Sequence, residues 1–426
     1  MIEALRKYWF RCIDCGARYD GDEKIYFCKK CGGLLDVEYE DSELALIPWS
    51  KSFQERPLGV WRYRELLPVR DDSKIITMNE GGTRLIRCRN LEKALGVKEI
   101  YVKNEGGNPT GSFKDRGMTV GVTKALEVGA RTTICASTGN TSSSLAAYSA
   151  KAGLECVVLV PAGKIALGKL SQAIIHGAKV LAVRGGFDDC LRLVKELSRD
   201  KQFYLLNSIN PFRLEGQKTA AFEIYEQLGR EVPDKLFIPI GNAGNIVAYW
   251  KGFRELKSLG LIDKLPSFMG VQAIGASPIY KAFIQGSDTI TPMENVETIA
   301  TAIRIGRPVN WKRALKAVRE TNGLVGAVTD EEILNAQRIL ASKEGIFAEP
   351  AGASPIAFLI KAVKEGLIEK DSRVVCIVTG HGLKDPDVVL KQVGKLTEVE
   401  ADIDSVLKRL EQNLRKQFNG KLLFTL

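Results

Sequence analysis

From about residue 74 the chain alternates short apolar, often β-branched runs with stretches whose apolar positions recur every three to four residues. The runs at 74–78, 100–103, 132–136, 156–160, 179–183, 204–207, 235–239, 268–273 and 373–379 read as strands. Between them, 117–128, 141–152, 167–176, 187–201, 217–228 and 245–258 read as helices. Apolar runs without polar alternation are buried on both faces. The order therefore predicts an α/β fold of parallel sheets with helices on both faces. About 25 residues at the carboxyl end, through Leu407, Leu410 and Leu414, read as an amphipathic helix closing the fold.

Composition narrows the class. With 426 residues, 45% hydrophobic and 26% charged, the chain has the mix of a globular protein of two or three domains. The net charge of +10 is dispersed, with no run of five or six basic residues, which disfavours a nucleic-acid partner. No stretch approaches the ~18 apolar residues of a membrane span, and the first residues contain no secretory signal. The two histidines, His176 and His381, are too few for a His-rich metal hydrolase. Nine cysteines, several in apolar surroundings, point to a reducing, cytosolic compartment.

Four of those cysteines form two pairs, Cys12-Ile-Asp-Cys15 and Cys28-Lys-Lys-Cys31, twelve residues apart. Each pair can aim two thiolates at one point, and glycines follow each second cysteine where the backbone must reverse. Together they predict a structural zinc site in a small ribbon-like module over residues 1–48. Unmetallated turns, or a disulfide formed on oxidation, are the alternatives. Four thiolates leave no open coordination position, so such a metal is not catalytic.

In parallel sheets, ligands bind beyond the carboxyl ends of strands, and four loops there carry chemistry. The first, 108–117, puts Lys114 in the first turn of a helix, where the positive dipole end disfavours the ammonium form. Such an amine can form a Schiff base, although taken alone a lysine there is more often a surface cation. The second, Ser137-Thr138-Gly139-Asn140-Thr141, opens a helix with hydroxyls and amides suited to a carboxylate, or is a simple capped turn. The third, Gly241-Asn242-Ala243-Gly244-Asn245, can cradle a phosphate but lacks the spacing of a Walker or dinucleotide motif. The fourth runs from Thr379 to Pro386. There His381, between two glycines, reads as a loop-shaping residue. A lysine nucleophile, a carboxylate pocket and a separate phosphate cradle suit an amino acid on pyridoxal phosphate.

The segments NPTGSFKDRG (108–117), STGNT (137–141), NSINPFRLEGQKTAAFEI (207–224), IPIGNAGNI (238–246), TIATAIRIGRP (298–308) and TGHGLKDPD (379–387) resemble the threonine synthases. These are pyridoxal-phosphate enzymes of the tryptophan-synthase-β-like fold, and the likeness runs from about residue 50 to 395. The resemblance implies an α/β fold of two open, mostly parallel sheets flanked by helices, with a large cofactor-binding domain over 49–125 and 206–395, a small α/β domain over 126–205, and a helical extension over 396–426. It implies that Lys114 holds the cofactor covalently, with Phe113 beside the ring and Asn140 on the phenolic oxygen. Gly241, Asn242, Ala243, Gly244 and Asn245 would hold the cofactor phosphate, and Thr379 the ring nitrogen. Ser137, Thr138 and Thr141 would receive the substrate, and Asn207, Ser208 and Arg213 the phosphate of O-phospho-L-homoserine. The implied reaction expels phosphate from the γ-carbon, adds water at the β-carbon and releases threonine, in a homodimer.

Two positions depart from the family pattern. Arg84 stands where proline usually follows the threonine of EGGTRL, near the substrate entrance by motif order. Pro355 stands in EPAGASPIA, a stretch that usually lacks it. The related cysteate synthases, which use O-phosphoserine and sulfite, share part of the pattern, as do serine and threonine dehydratases.

Overall fold

The computed structural model describes residues 7–40, 53, 55–163, 167–391 and 398–419, without the side chains of 167–169 and 412–419. Three strands open the chain, β1 (Tyr8–Cys12), β2 (Arg18–Asp20) and β3 (Leu35–Tyr39), and pair antiparallel in the order β2-β1-β3. Phe10 and Val37 face one another across this sheet and are fully buried, because the sheet packs on the rest of the protein.

The large sheet comprises β4 (Leu85–Arg87) and β5 (Glu99–Asn104), then β10 (Lys235–Pro239), β11 (Ser267–Ala273), β12 (Leu324–Val328) and β13 (Arg373–Val378). Its order is β12-β11-β10-β13-β5-β4, all parallel except the β4 edge. Between β5 and β10 the chain builds a second sheet from β6 (Thr132–Ala136), β7 (Glu155–Pro161), β8 (Lys179–Val183) and β9 (Phe203–Leu205), all parallel. Buried apolar clusters separate these sheets from their covering helices, as the unbroken β-branched runs require.

The segment 74–78 is not a strand. The turn Asp72–Lys74 leads into extended backbone whose N–H groups are taken by side chains: Ile76 donates to Thr123 Oγ1 and Met78 to Glu80 Oε2. With those donors occupied, no ladder forms. Five further strands, β4, β12 and the three of the β1–β3 sheet, were not evident from the alternation of runs. The carboxyl-terminal helix Ile403–Asn419 forms, but over its described side chains it covers no core, and Leu414 lies outside the described side chains. Its apolar positions Ile403, Leu407 and Leu410 are 71%, 49% and 52% exposed.

A buried ionic network fixes the helix that begins at Lys114. Arg116 is bidentate to both Glu105 (2.6 and 2.8 Å) and Glu223 (2.7 Å each), and Lys103 meets Glu223 at 2.6 Å. All four side chains are essentially inaccessible. Such clusters add little net stability, but removing one member strands the others, at about 3–5 kcal/mol.

The amino-terminal module grips both sheets. On the large side, Tyr39 donates to Glu215 at 2.8 Å, and Asp36 pairs with Lys251 at 3.1 Å and Arg313 at 3.4 Å. On the other side, the Tyr26 hydroxyl accepts from Leu205 N of β9 at 2.9 Å, and Lys24 donates to the carbonyls of Asp200 and Lys201.

Candidate active site

Loops following β5, β10 and β13 converge on one cleft. Its walls carry Phe113, Lys114, Asn140, Ser208, Arg213, Gly241 through Asn245, Glu349 and Thr379. Lys114 is the first residue of the helix Lys114–Glu127. Thr110 and Asp115 lock the loop before it: Asp115 accepts from Thr110 N (2.7 Å), Thr110 Oγ1 (2.6 Å) and Ser144 Oγ (2.6 Å). Burial pushes the Asp115 carboxyl up to about 6 against these bonds. The Thr379 carbonyl accepts from Phe113 N at 3.0 Å, so the lysine loop and the β13 loop form one wall.

The glycine loop ends in the helix Gly244–Ser258, and Ala243 at its start has φ of 63°, a left-handed conformation unusual for alanine. A Cβ at Gly241 would lie 3.0 Å from the Ala302 carbonyl, so a side chain there would crowd the neighbouring backbone. The Asn242 carbonyl accepts from Asn310 N at 3.1 Å, which pins the loop while leaving the amides of the helix's first turn without intrahelical partners.

Electrostatics make the cleft receptive to anions. Burial, reinforced by the Arg213 cation and opposed by Glu349, pushes the Lys114 amine down to about 7. The Arg213 guanidinium is buried, with Nε and Nη2 bonded to no protein atom, and burial lowers it to about 10. Both side-chain polar atoms of buried Asn245 are also unpartnered. Buried polar groups are seldom left so in a native protein. One unpaired guanidinium and a separate helix N-terminus with an idle carboxamide fit two phosphate groups, so these residues suit pyridoxal phosphate together with a phosphorylated substrate.

Not every expected residue reaches the cleft. Ser137, Thr138 and Thr141 lie outside its lining. Asn207 is committed elsewhere: its carboxamide exchanges two 2.9 Å bonds with the backbone of Ala136, tying β6 to the chain after β9. Arg84 is exposed and off the lining. Pro355 sits inside the helix Pro350–Lys364, where the Ala351 carbonyl it leaves without an N–H accepts from Ser354 Oγ at 2.8 Å. His381 caps the following turn, its Nδ1 accepting from Leu383 N.

Sequence reasoning missed Glu349, the only carboxylate among the described residues lining the cleft. It is 4% exposed; Oε2 accepts from Asn140 Nδ2 at 2.9 Å and Oε1 from Thr379 Oγ1 at 3.1 Å. Its one signal was an acidic residue immediately before the proline that starts a helix.

The four cysteines of the amino-terminal module do converge. Their sulfurs all lie within 4.8 Å of one another, with Cys12–Cys31 at 3.4 Å and Cys15–Cys28 at 3.5 Å. A tetrahedral zinc site with ~2.3 Å bonds sets its sulfurs roughly 3.8 Å apart, so this cluster has the size for such an ion. The two turns are matched, Gly16 N donating to the Cys12 carbonyl and Gly32 N to the Cys28 carbonyl. A Cβ at Gly33 would come within 2.4 Å of Asp14 Oδ2 and 3.0 Å of Cys12 Sγ, so a larger residue there would have to displace the Asp14 side chain and crowd a cysteine sulfur.

A family model described as pyridoxal-phosphate dependent enzyme matches residues 76–380. The threonine synthase of Methanocaldococcus jannaschii is 59% identical over 404 residues, covering 95% of this chain and 99% of that one. That of Methanosarcina acetivorans is 57% identical, covering 94% and 98%. Among solved structures, threonine deaminase isoform 2 of Solanum lycopersicum superposes with a TM-score of 0.62 at 22% identity, over 73% of this chain and 82% of that one. Diaminopropionate ammonia lyase of Escherichia coli does so with a TM-score of 0.63 at 18% identity, over 75% and 91%. These deeper likenesses concern the fold, whereas the nearly full-length identities reach further. The chain belongs to the threonine synthase family of pyridoxal-phosphate-dependent enzymes.

Proposed function

We propose that the chain converts O-phospho-L-homoserine and water to L-threonine and phosphate. The observation that carries the reading is the buried, unpartnered Arg213 guanidinium in the same cleft as Lys114 and the glycine loop. It supports two anion seats, one for the cofactor phosphate at Gly241–Asn245 and one for a phosphate that leaves. Bound there through Lys114, pyridoxal phosphate supplies an electron sink for proton removal beside the substrate amine.

The protein's own groups do the rest. Lys114, about half neutral at pH 7, would hold the cofactor, give up its place to the substrate amine and be positioned to take the α-proton. Arg213, with Ser208 beside it, stabilises the departing phosphate by charge-assisted hydrogen bonds. Phe113 would flank the ring, and Asn140 and Thr379, which line the same cleft, would meet its polar edges. Asn140 brings the turn of Ser137, Thr138 and Thr141 to the edge of the cleft, off its lining, where hydroxyls and amides suit the approaching substrate carboxylate, and Asn207, tied to Ala136, holds the chain that carries Ser208.

Two finer readings accompany this one. The four-cysteine cluster takes a structural zinc ion, supported by its matched turns and converging sulfurs. A homodimer is supported by the exposed apolar side chains Ile403, Leu407 and Leu410, and a cytosolic setting by nine free cysteines. Phosphate release from O-phospho-L-homoserine, with threonine identified as product, tests the activity. Faster release from O-phosphoserine in the presence of sulfite refutes it.

A further inference from the structure

The carboxylate of Glu349 has no evident task in the reaction as described, yet the fold goes to some length to seat it. Glu349 is at the N-cap position of the helix Pro350–Lys364 but makes no capping hydrogen bond; its side chain turns into the cleft instead. A Cβ at Gly380 would lie 2.6 Å from Glu349 Oε1, so the glycine of the β13 loop makes room for it. The Glu349 amide donates to the Gly380 carbonyl at 2.9 Å, fixing the carboxylate against that loop.

Its two oxygens hold two different residues. Oε1 accepts from the Thr379 hydroxyl and Oε2 from the Asn140 carboxamide, and these are the side chains proposed above to meet the nitrogen and the phenolic oxygen of the ring. A threonine hydroxyl has a single proton. When Glu349 is ionised, that proton points at the carboxylate, and Thr379 offers the ring nitrogen only lone pairs, which suit a protonated nitrogen. When Glu349 is neutral, it donates to Thr379, whose own proton then turns to an unprotonated nitrogen. Asn140 keeps one N–H on Glu349 in either state and has a second for the phenolic oxygen.

We propose that Glu349 is a positioning residue that shares one proton with the ring nitrogen through the Thr379 hydroxyl and orients Asn140 at the opposite edge. The transfer balances: as the carboxyl proton passes to Thr379 Oγ, the hydroxyl proton passes to the ring nitrogen, leaving a carboxylate and a protonated ring. The position of that proton sets how strongly the ring withdraws electrons. Burial already favours the neutral carboxyl, against the hydrogen bonds from Asn140 and Thr379 and the nearby Lys384, with Asp385 acting in the same sense as burial. Lys114 and Arg213 are the other charged groups on the cleft. The inference rests on the proposed contacts of Asn140 and Thr379 with the cofactor.

The test uses holoenzyme carrying pyridoxal phosphate labelled with ¹⁵N in the ring, in the wild type, Glu349→Gln and Thr379→Val. In the wild type the ring-nitrogen resonance should move with pH, in parallel with the pH profile of phosphate release. Glutamine keeps the shape and can donate to Thr379 but cannot give up a proton, so E349Q should hold the nitrogen unprotonated at every pH. Its kcat should fall about 10- to 100-fold and lose that pH-dependent limb. T379V should also abolish the titration, with Glu349 intact. A ring-nitrogen resonance that titrates in E349Q as in the wild type overturns the inference, as does one that titrates normally in T379V. Wild-type protein that retains no labelled cofactor after borohydride reduction overturns the underlying cofactor contacts instead.

Discussion

The lowered Lys114 amine makes a prediction with opposite signs in two variants. An ordinary lysine near 10.5 is neutral at pH 7 in only ~3 × 10⁻⁴ of molecules, whereas one near 7 is neutral in about half, roughly a 10³-fold gain in nucleophile. In stability terms the shift corresponds to at most about 5 kcal/mol, since water in the cleft screens part of it. Between pH 7 and 10.5 the unfolded chain holds a proton that the folded apoprotein has released. The apoprotein therefore gains stability as pH rises through that window and carries the full penalty below it. Burial is the largest cause, with Arg213 adding to it and Glu349 opposing it. Arg213→Met should raise the midpoint by about one unit, and Glu349→Gln should lower it by a similar amount. The assay is stopped-flow uptake of pyridoxal phosphate by apoprotein across pH 5–10. Each variant's rate is taken relative to wild type, so that the cofactor's own ionisations cancel. A wild-type rate still climbing tenfold per unit above pH 9 refutes the lowered amine. Shifts of the same sign in both variants refute its electrostatic account.

Three further outcomes follow from the geometry. Arg213→Leu should reduce kcat/KM for O-phospho-L-homoserine by about 10²–10³ while leaving cofactor content near one per chain, measured by phosphate release and absorbance. Cys12→Ser combined with Cys28→Ser should remove about one zinc per chain by elemental analysis and lower the melting temperature, with turnover of the folded fraction retained. Glu223 is pushed up by burial but held at about 2 by Arg116 and Lys103, so its stabilisation is complete above 4.5 and is lost as pH falls towards 2. Glu223→Gln should cost about 3–5 kcal/mol in urea unfolding at pH 7 and flatten that acid limb.

The parallel sheets were legible because burial on both faces leaves an unbroken apolar signature, and strand 235–239 matches β10 residue for residue. Segment 74–78 has the same signature for another reason: its apolar side chains pack on the small-sheet core while its backbone donors are met by Thr123 and Glu80. Apolar content alone does not separate these cases. The cleft was legible where glycine and lysine mark backbone turns, at Lys114 and Gly241–Asn245. It was opaque at Glu349, which looks like an ordinary acidic residue at a helix start. Asn207 fell within a motif, yet which way its carboxamide faces depends on β6, some seventy residues earlier in the chain. The carboxyl-terminal helix was readable as amphipathic, but periodicity does not name the surface an apolar face will meet.

The amino-terminal module deserves a mechanical description. Its grip on β9 through Tyr26 and on the Phe212–Gln227 helix through Tyr39 makes it a tie bar across the two sheets. Residues on either bank of the cleft, Asn140 on one and Arg213 on the other, are thus linked by a second route besides the covalent chain. A tie bar carries load without touching substrate. The four-cysteine junction therefore bears on how much of the protein holds its two banks in place, not on what the folded cleft does.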